Sequence, residues 1–188
     1  MFSLIVTLIV VVMVLWIILT YNRLVSLRNQ VQNAWKQIDV QLKRRHDLIP
    51  NLVATVKGAM EFEQDTLEKV INARAKAVSA VGVADRAAAE NMLTQALGKL
   101  FAVMENYPQL KSNENIIQLQ EEITSTENRI GFARQLYNDL IANYCILQEV
   151  FPNNLLLTFF SGFKKEPYFE IEAGARATPQ VDLSLRRK

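Results

Sequence analysis

Residues 116–147 read IIQLQEEITSTENRIGFARQLYNDLIANYCIL, and their spacing decides the fold. Ile116, Leu119, Ile123, Thr126, Ile130, Ala133, Tyr137, Leu140, Tyr144 and Leu147 follow one another by alternating steps of three and four. That alternation keeps one helical face apolar and, sustained over several heptads, specifies a coiled-coil-like seam. Ser112 or Asn113 is placed to cap this helix, with Glu114 in its first turn. The flanking Glu121, Glu122, Glu127, Arg129 and Arg134 read as a solvated face or an edge of weak ion pairs. A helix of about 58 Å cannot bury such a seam alone. The chain must supply a partner.

Working back toward the amino terminus, that partner is a stripe at Leu24, Leu27, Val31, Ala34/Trp35, Ile38 and Leu42. Neither Gly nor Pro interrupts residues 21–49. The stripe resumes after Pro50 at Leu52, Val53, Val56 and Met60, so the spacing predicts a kinked but continuous helix. Carried through residues 21–76, it would reach about 80 Å. Ser79, Gly82 and Asp85 then mark a turn. Periodicity returns at Met92, Leu93, Ala96, Leu97, Leu100, Phe101 and Met104, and Glu105-Asn106-Tyr107-Pro108 stops it. The fold class is all-α: one apolar amino-terminal helix followed by an elongated antiparallel bundle of three to four helices.

Residues 1–20, MFSLIVTLIVVVMVLWIILT, contain no charged side chain. Twenty helical residues cover about 30 Å, the thickness of a bilayer's hydrocarbon core. A cleaved signal peptide would want a basic start and a small-residue cleavage site; the first basic residue is Arg23, and Thr20-Tyr21-Asn22 is no such site. An uncleaved anchor is the better reading. Residues 21–57 hold seven Lys/Arg against two Asp/Glu, whereas 58–150 hold eight against thirteen. Positive charge directly behind the span, at Arg23, Arg28 and Lys36, places the amino terminus outside and the bundle in the cytoplasm. Trp16 and Tyr21 sit where interfacial aromatics fix depth. The charge pattern does not supply the basic face that nucleic-acid binding needs.

The expected organisation is an anchor over 1–20, a helical bundle over 21–172 and a polar tail over 173–188. Ahead of the tail, Leu155, Leu156, Leu157, Phe159, Phe160 and Phe163 concentrate large apolar side chains. They either cap the bundle or contact the membrane surface or a neighbouring subunit.

Chemistry is sparsely supplied. One Cys and one His exclude an internal disulfide, a cysteine-built zinc site and any constellation needing two imidazoles. His46, between Arg45 and Asp47, reads as a histidine on the helix surface. Glu61, Asp65 and Glu68 share a helical face that reads as solvated rather than cation-binding. There is no Gly-rich phosphate loop. No catalytic residue, no metal and no cofactor are expected, and the chain does not read as an enzyme.

Several segments, in order along the chain, carry a resemblance. These are RRHDLIPNL at 44–52, NRLV at 22–25, AWKQIDVQL at 34–42, VKG at 56–58 and ENYPQL at 105–110. ENRI at 127–130, Ala133-Arg134 with Tyr137-Asn138, FPNN at 151–154, Phe163 and YFE at 168–170 continue it. Together they resemble the LemA family, bacterial proteins with one amino-terminal membrane helix; Cys145 departs from its common Asn. The resemblance implies a cytoplasmic helical domain at the inner membrane and brings no catalytic residues. For some relatives it suggests association with envelope stress and membrane proteases.

Candidate structural or assembly contacts are Arg44, Arg45, Asp47, Pro50, Asn51, Tyr107, Arg134, Tyr137 and Asn138. Arg44, Arg45, Asp47 and Asn51, near the kink at Pro50, are expected to pair with Glu127, Arg134 or Asn138 on the return helix, or to serve a subunit or partner contact. Leu155, Leu156, Phe159, Phe160 and Phe163 are candidate membrane or subunit contacts. Two functions follow: a self-associating scaffold that organises or shapes the membrane, its partners being the lipid bilayer and further copies of the chain, or an adaptor whose acidic middle recruits a membrane protease or signalling protein.

Overall fold

Helix α1 (Phe2–Lys57) runs through the apolar segment and into the bundle without a joint. In the computed structural model, residues 1–158, 160 and 162–170 are described, apart from the side chain of Glu61. Phe159 and the tail at 173–188 therefore lie outside the described residues. Residues 2–15 of α1 are exposed all round. At 56 residues α1 is about 84 Å long, and its first third is long and apolar enough to cross a membrane.

The expected continuous helix over 21–76 is corrected here. Helix α1 ends at Lys57, and a 3-10 turn (Glu61–Glu63) reverses the chain into α2 (Gln64–Ser79). Continued straight, Leu67, Val70, Ala73 and Ala77 would have no partner. The reversal buries them together with Met60 against Leu93, Leu97 and Leu100 of α3 (Val83–Met104). The α2–α3 turn passes through Gly82 at φ 88° and ψ 163°, a region that a side chain would strain.

A short α4 (Pro108–Lys111) leads into α5 (Glu114–Glu149). Asn113 caps α5, its side-chain oxygen accepting from the backbone N–H of Asn115 at 3.0 Å and of Ile116 at 3.4 Å. Helix α5 lies antiparallel on α1: Arg44 meets Glu122, Arg45 meets Glu127 and Trp35 meets Tyr137. The seam expected from spacing is the buried face, with one drift. Toward the end Ile141 and Gln148 join Tyr144 as buried positions, and Leu140 and Leu147 are only half-buried. A 3.6-residue turn departs from a 3.5-residue repeat in that way.

Two cores result. The distal one is four helices deep and joins residues 49–56 of α1 with α2, α3 and the start of α5. The proximal one is built mainly from α1 and α5, with Ala87 from the start of α3 and Phe169 from the extended segment at 163–170 added to it. Helix α6 (Asn153–Leu157) turns the chain from α5 into that segment.

Candidate functional site

The RRHDLIPNL stretch lies where α1, α2, α3 and α5 meet, and its proline sets the first contact. In a helix the carbonyl of His46 would accept from the N–H of residue 50, which Pro50 lacks. Arg74 of α2 fills the vacancy, its Nε donating to the His46 carbonyl oxygen at 2.7 Å. A local defect in α1 thereby becomes a docking point for α2.

Immediately before His46, Arg45 points into the bundle and is 2% exposed; its counter-ion Glu90 of α3 is 3% exposed. Arg45 Nη1 lies 3.3 Å from Glu90 Oε2 and 2.8 Å from Glu127 Oε2, while Nη2 donates to Thr94 Oγ1 at 2.9 Å. The Glu127 contact is a charge contact rather than an aligned hydrogen bond, since that oxygen has no hydrogen-bond partner by geometry. His46 Nε2 lies 2.6 Å from Glu90 Oε1. With Glu90 ionised beside a guanidinium, Nε2 carries the proton and donates. Burial pushes the Arg45 guanidinium below its ordinary pKa; Glu127 and then Glu90 pull it back, and Arg134 lowers it again. Both oxygens of Glu90 are thus engaged, which makes it a counter-ion rather than a free base.

His46 is the clearest departure from expectation. It is buried against Glu90, not on the helix surface. The apolar stripe runs Leu42 to Ile49, so residues 45 and 46 occupy its intervening core position. Glu90 was not singled out from the sequence, yet its spacing to Leu93 and Leu97 puts it on the buried face of α3.

A second cluster pins the segment at 163–170. Asn138 Nδ2 donates to the Phe169 carbonyl at 3.1 Å, and its Oδ1 accepts from the Phe169 N–H at 2.9 Å. The side-chain amide therefore acts as a strand partner for one residue. Tyr137 donates to the Pro167 carbonyl at 3.1 Å. Burial, with Glu166 adding to it, pushes the Tyr137 phenol up to about 12. The Phe169 ring packs on Trp35 with centroids 5.9 Å apart, and the Arg134 guanidinium lies 5.6 Å from it. Arg134 and Asn138 thus hold the chain's own carboxyl segment; of the groups around Pro50, Arg45 reaches the return helix at Glu127 and Arg44 reaches it at Glu122. The register explains the difference, because residues 134–138 lie opposite Trp35, a good two turns from residue 44.

The remaining candidates are spread out. Arg44 pairs with Glu122 at 3.3 Å on the exposed edge. Asp47, Pro50 and Asn51 are exposed. Tyr107 donates to Glu63 at 3.3 Å across the distal end. Leu156 is buried, Phe163 half-buried, and Leu155 and Phe160 exposed. Asp65 and Glu68 are exposed as well. A feature not read from the sequence is a shallow apolar groove between α1 and α5, formed by Val40, Phe132 and Leu136 and rimmed by Lys36 and Arg129. Phe132 is 73% exposed there. It stands two residues after Ile130, off the seam, and that displacement was the available signal.

These features define a membrane-associated all-helical protein: one apolar helix long enough to cross a membrane, continuous with an antiparallel bundle. The sequence profile of the LemA family matches residues 34–183, and the chain belongs to that family. It is similar to magnetosome protein MamQ 2 of Paramagnetospirillum magneticum, 27% identical with 94% of this chain and 74% of the relative covered. Magnetosome protein MamQ of Magnetospirillum gryphiswaldense is 25% identical, over 90% of this chain and 72% of its own. Protein LemA of Metamycoplasma hominis is 28% identical, over 65% of this chain and 57% of its own.

Proposed function

We propose that this protein is a non-catalytic, self-associating scaffold anchored in the bacterial inner membrane by a single pass. The carrying observation is the groove of Val40, Phe132 and Leu136, an apolar surface left uncovered on the α1–α5 pair. The occupant is a second copy of the chain. Anchors of one orientation hold every copy at one height, so the groove meets its equivalent about 30 Å above the span. Arg23, Arg28 and Lys36 behind the span support an amino terminus outside and a bundle in the cytoplasm. No residue is assigned a catalytic role: both carboxylate oxygens of Glu90 are held, one by Arg45 and the other by His46.

The test is the mass of the full chain in mild detergent by light scattering, beside Phe132→Asp. A discrete multiple that falls to a monomer in the variant supports the scaffold. A monomer for the unaltered chain removes it and turns attention to an adaptor for a membrane protease or signalling protein.

A further inference from the structure

The register of α1 on α5 fixes how high the carboxyl-terminal turn stands. Trp35 faces Tyr137 and Arg45 faces Glu127, so the end of α5 at Glu149 comes level with residues 21–23. The described residues between α5 and the segment at 163–170 must then lie at, or beyond, the boundary where the apolar part of α1 begins. The contacts agree. Tyr21 packs on Phe160 with centroids 5.3 Å apart and on Phe163 at 5.6 Å. On an apolar segment otherwise exposed, Thr20 is buried and Trp16 and Ile17 are half-buried. The turn therefore covers the last turn of the span.

Beside the exposed Asn154 and Thr158, most of the turn's outer side chains are apolar. Phe151 is 74% exposed, and Ile146, Val150, Leu155 and Phe160 are exposed beside it. This surface is continuous with the uncovered face of residues 1–19, at a height that water would meet only if no bilayer were present. Arg23, Lys164 and Lys165 are exposed around it, at the level of phosphate headgroups, with Lys165 paired to Glu149. Aromatic and aliphatic side chains flanked by basic ones suit an interfacial membrane contact.

We infer that the turn between α5 and the carboxyl segment is a second membrane contact, seated in the headgroup–acyl boundary of the leaflet into which the bundle emerges. Phe151 and Leu155 are its inserted side chains. The helix and the turn then grip the leaflet at two points and hold the rod's tilt, where a lone span would let it swing. This rests on the reading of residues 2–20 as a span.

The test uses the full chain with Cys145→Ser, reconstituted in vesicles of phosphatidylethanolamine and phosphatidylglycerol. An environment-sensitive fluorophore is placed in turn at Phe151→Cys, Leu155→Cys, Leu8→Cys and Glu105→Cys. The labelled positions are exposed, so the core is left intact. Headgroup-proximal spin-labelled lipid is expected to quench labels at 151 and 155 strongly, and mid-chain spin label the one at 8, with no loss at 105. Labels at 151 and 155 that escape quenching while 8 is quenched overturn the contact and leave the span standing. A blue-shifted but unquenched label at 151 means burial against protein, which also overturns it. An unquenched label at 8 removes span and contact together.

Discussion

Pro50 and Arg74 should be energetically coupled, although they are not neighbours in sequence and touch through a carbonyl belonging to neither. Arg74→Met keeps the apolar stem and removes the donor to the His46 carbonyl, which stands 2.7 Å from Arg74 Nε. No backbone N–H can replace it, because residue 50 is proline. An unsatisfied buried carbonyl costs about 1–3 kcal/mol, and partial access to water at this site sets the lower half, about 1–2 kcal/mol. For a chain of this size that is a fall in Tm of roughly 2–8 °C. In a Pro50→Ala background the N–H of residue 50 takes over, and the same Arg74→Met change should cost about 0.5 kcal/mol or less, leaving a coupling near 1 kcal/mol. The assay is reversible unfolding in detergent followed by circular dichroism for the four proteins of the cycle. Equal losses in the two backgrounds would refute the account of the proline.

Glu90→Leu leaves Arg45 buried with only the half-exposed Glu127 as counter-ion; a loss of about 3 kcal/mol is expected by urea unfolding, largely recovered in Arg45→Leu/Glu90→Leu. A Glu90→Leu protein as stable as the parent would show the pair to be dispensable. Asn138→Leu removes both bonds to Phe169 and should release the carboxyl segment, read as faster amide exchange at Phe169 with the α1–α5 amides unchanged; unchanged exchange at Phe169 would count against the clamp. The Tyr137 phenol is raised from 10.0 to about 12 in the fold, so its share of stability is intact below pH 10 and drains away as pH climbs toward about 12. Tyr137→Phe should flatten the fall in urea midpoint across that window, and a variant as pH-sensitive as the parent would contradict it.

The parts of the fold that were legible are those that one helix can state by itself. The seam of α5 and the apolar run of α1 are periodic signals. The Asn113 cap and the turn at Gly82 are local chemistry. The reversal after Lys57 was not legible, because nothing local forbids a longer helix. Only the need of Leu67, Val70, Ala73 and Ala77 for a partner, satisfied from α3, decides it. The same holds for the ion cluster. Charged residues at 45 and 46 interrupt an apolar stripe, and read alone they suggest a surface; the compensating Glu90 is in a helix 44 residues further on. Asn138 and Arg134 were singled out, but their partner, an extended segment with no periodicity, announces no docking site.

The scaffold stands or falls on copies meeting through α1 and α5 in the membrane. Two differently tagged full-length chains with Cys145→Ser, one carrying Val40→Cys and the other Phe132→Cys, should be co-expressed and oxidised in native membranes. A covalent pair bearing both tags, abundant here and scarce when the cysteines are moved to Lys99 on the exposed face of α3, is the predicted result. A yield no higher than at Lys99 would contradict self-association through this face.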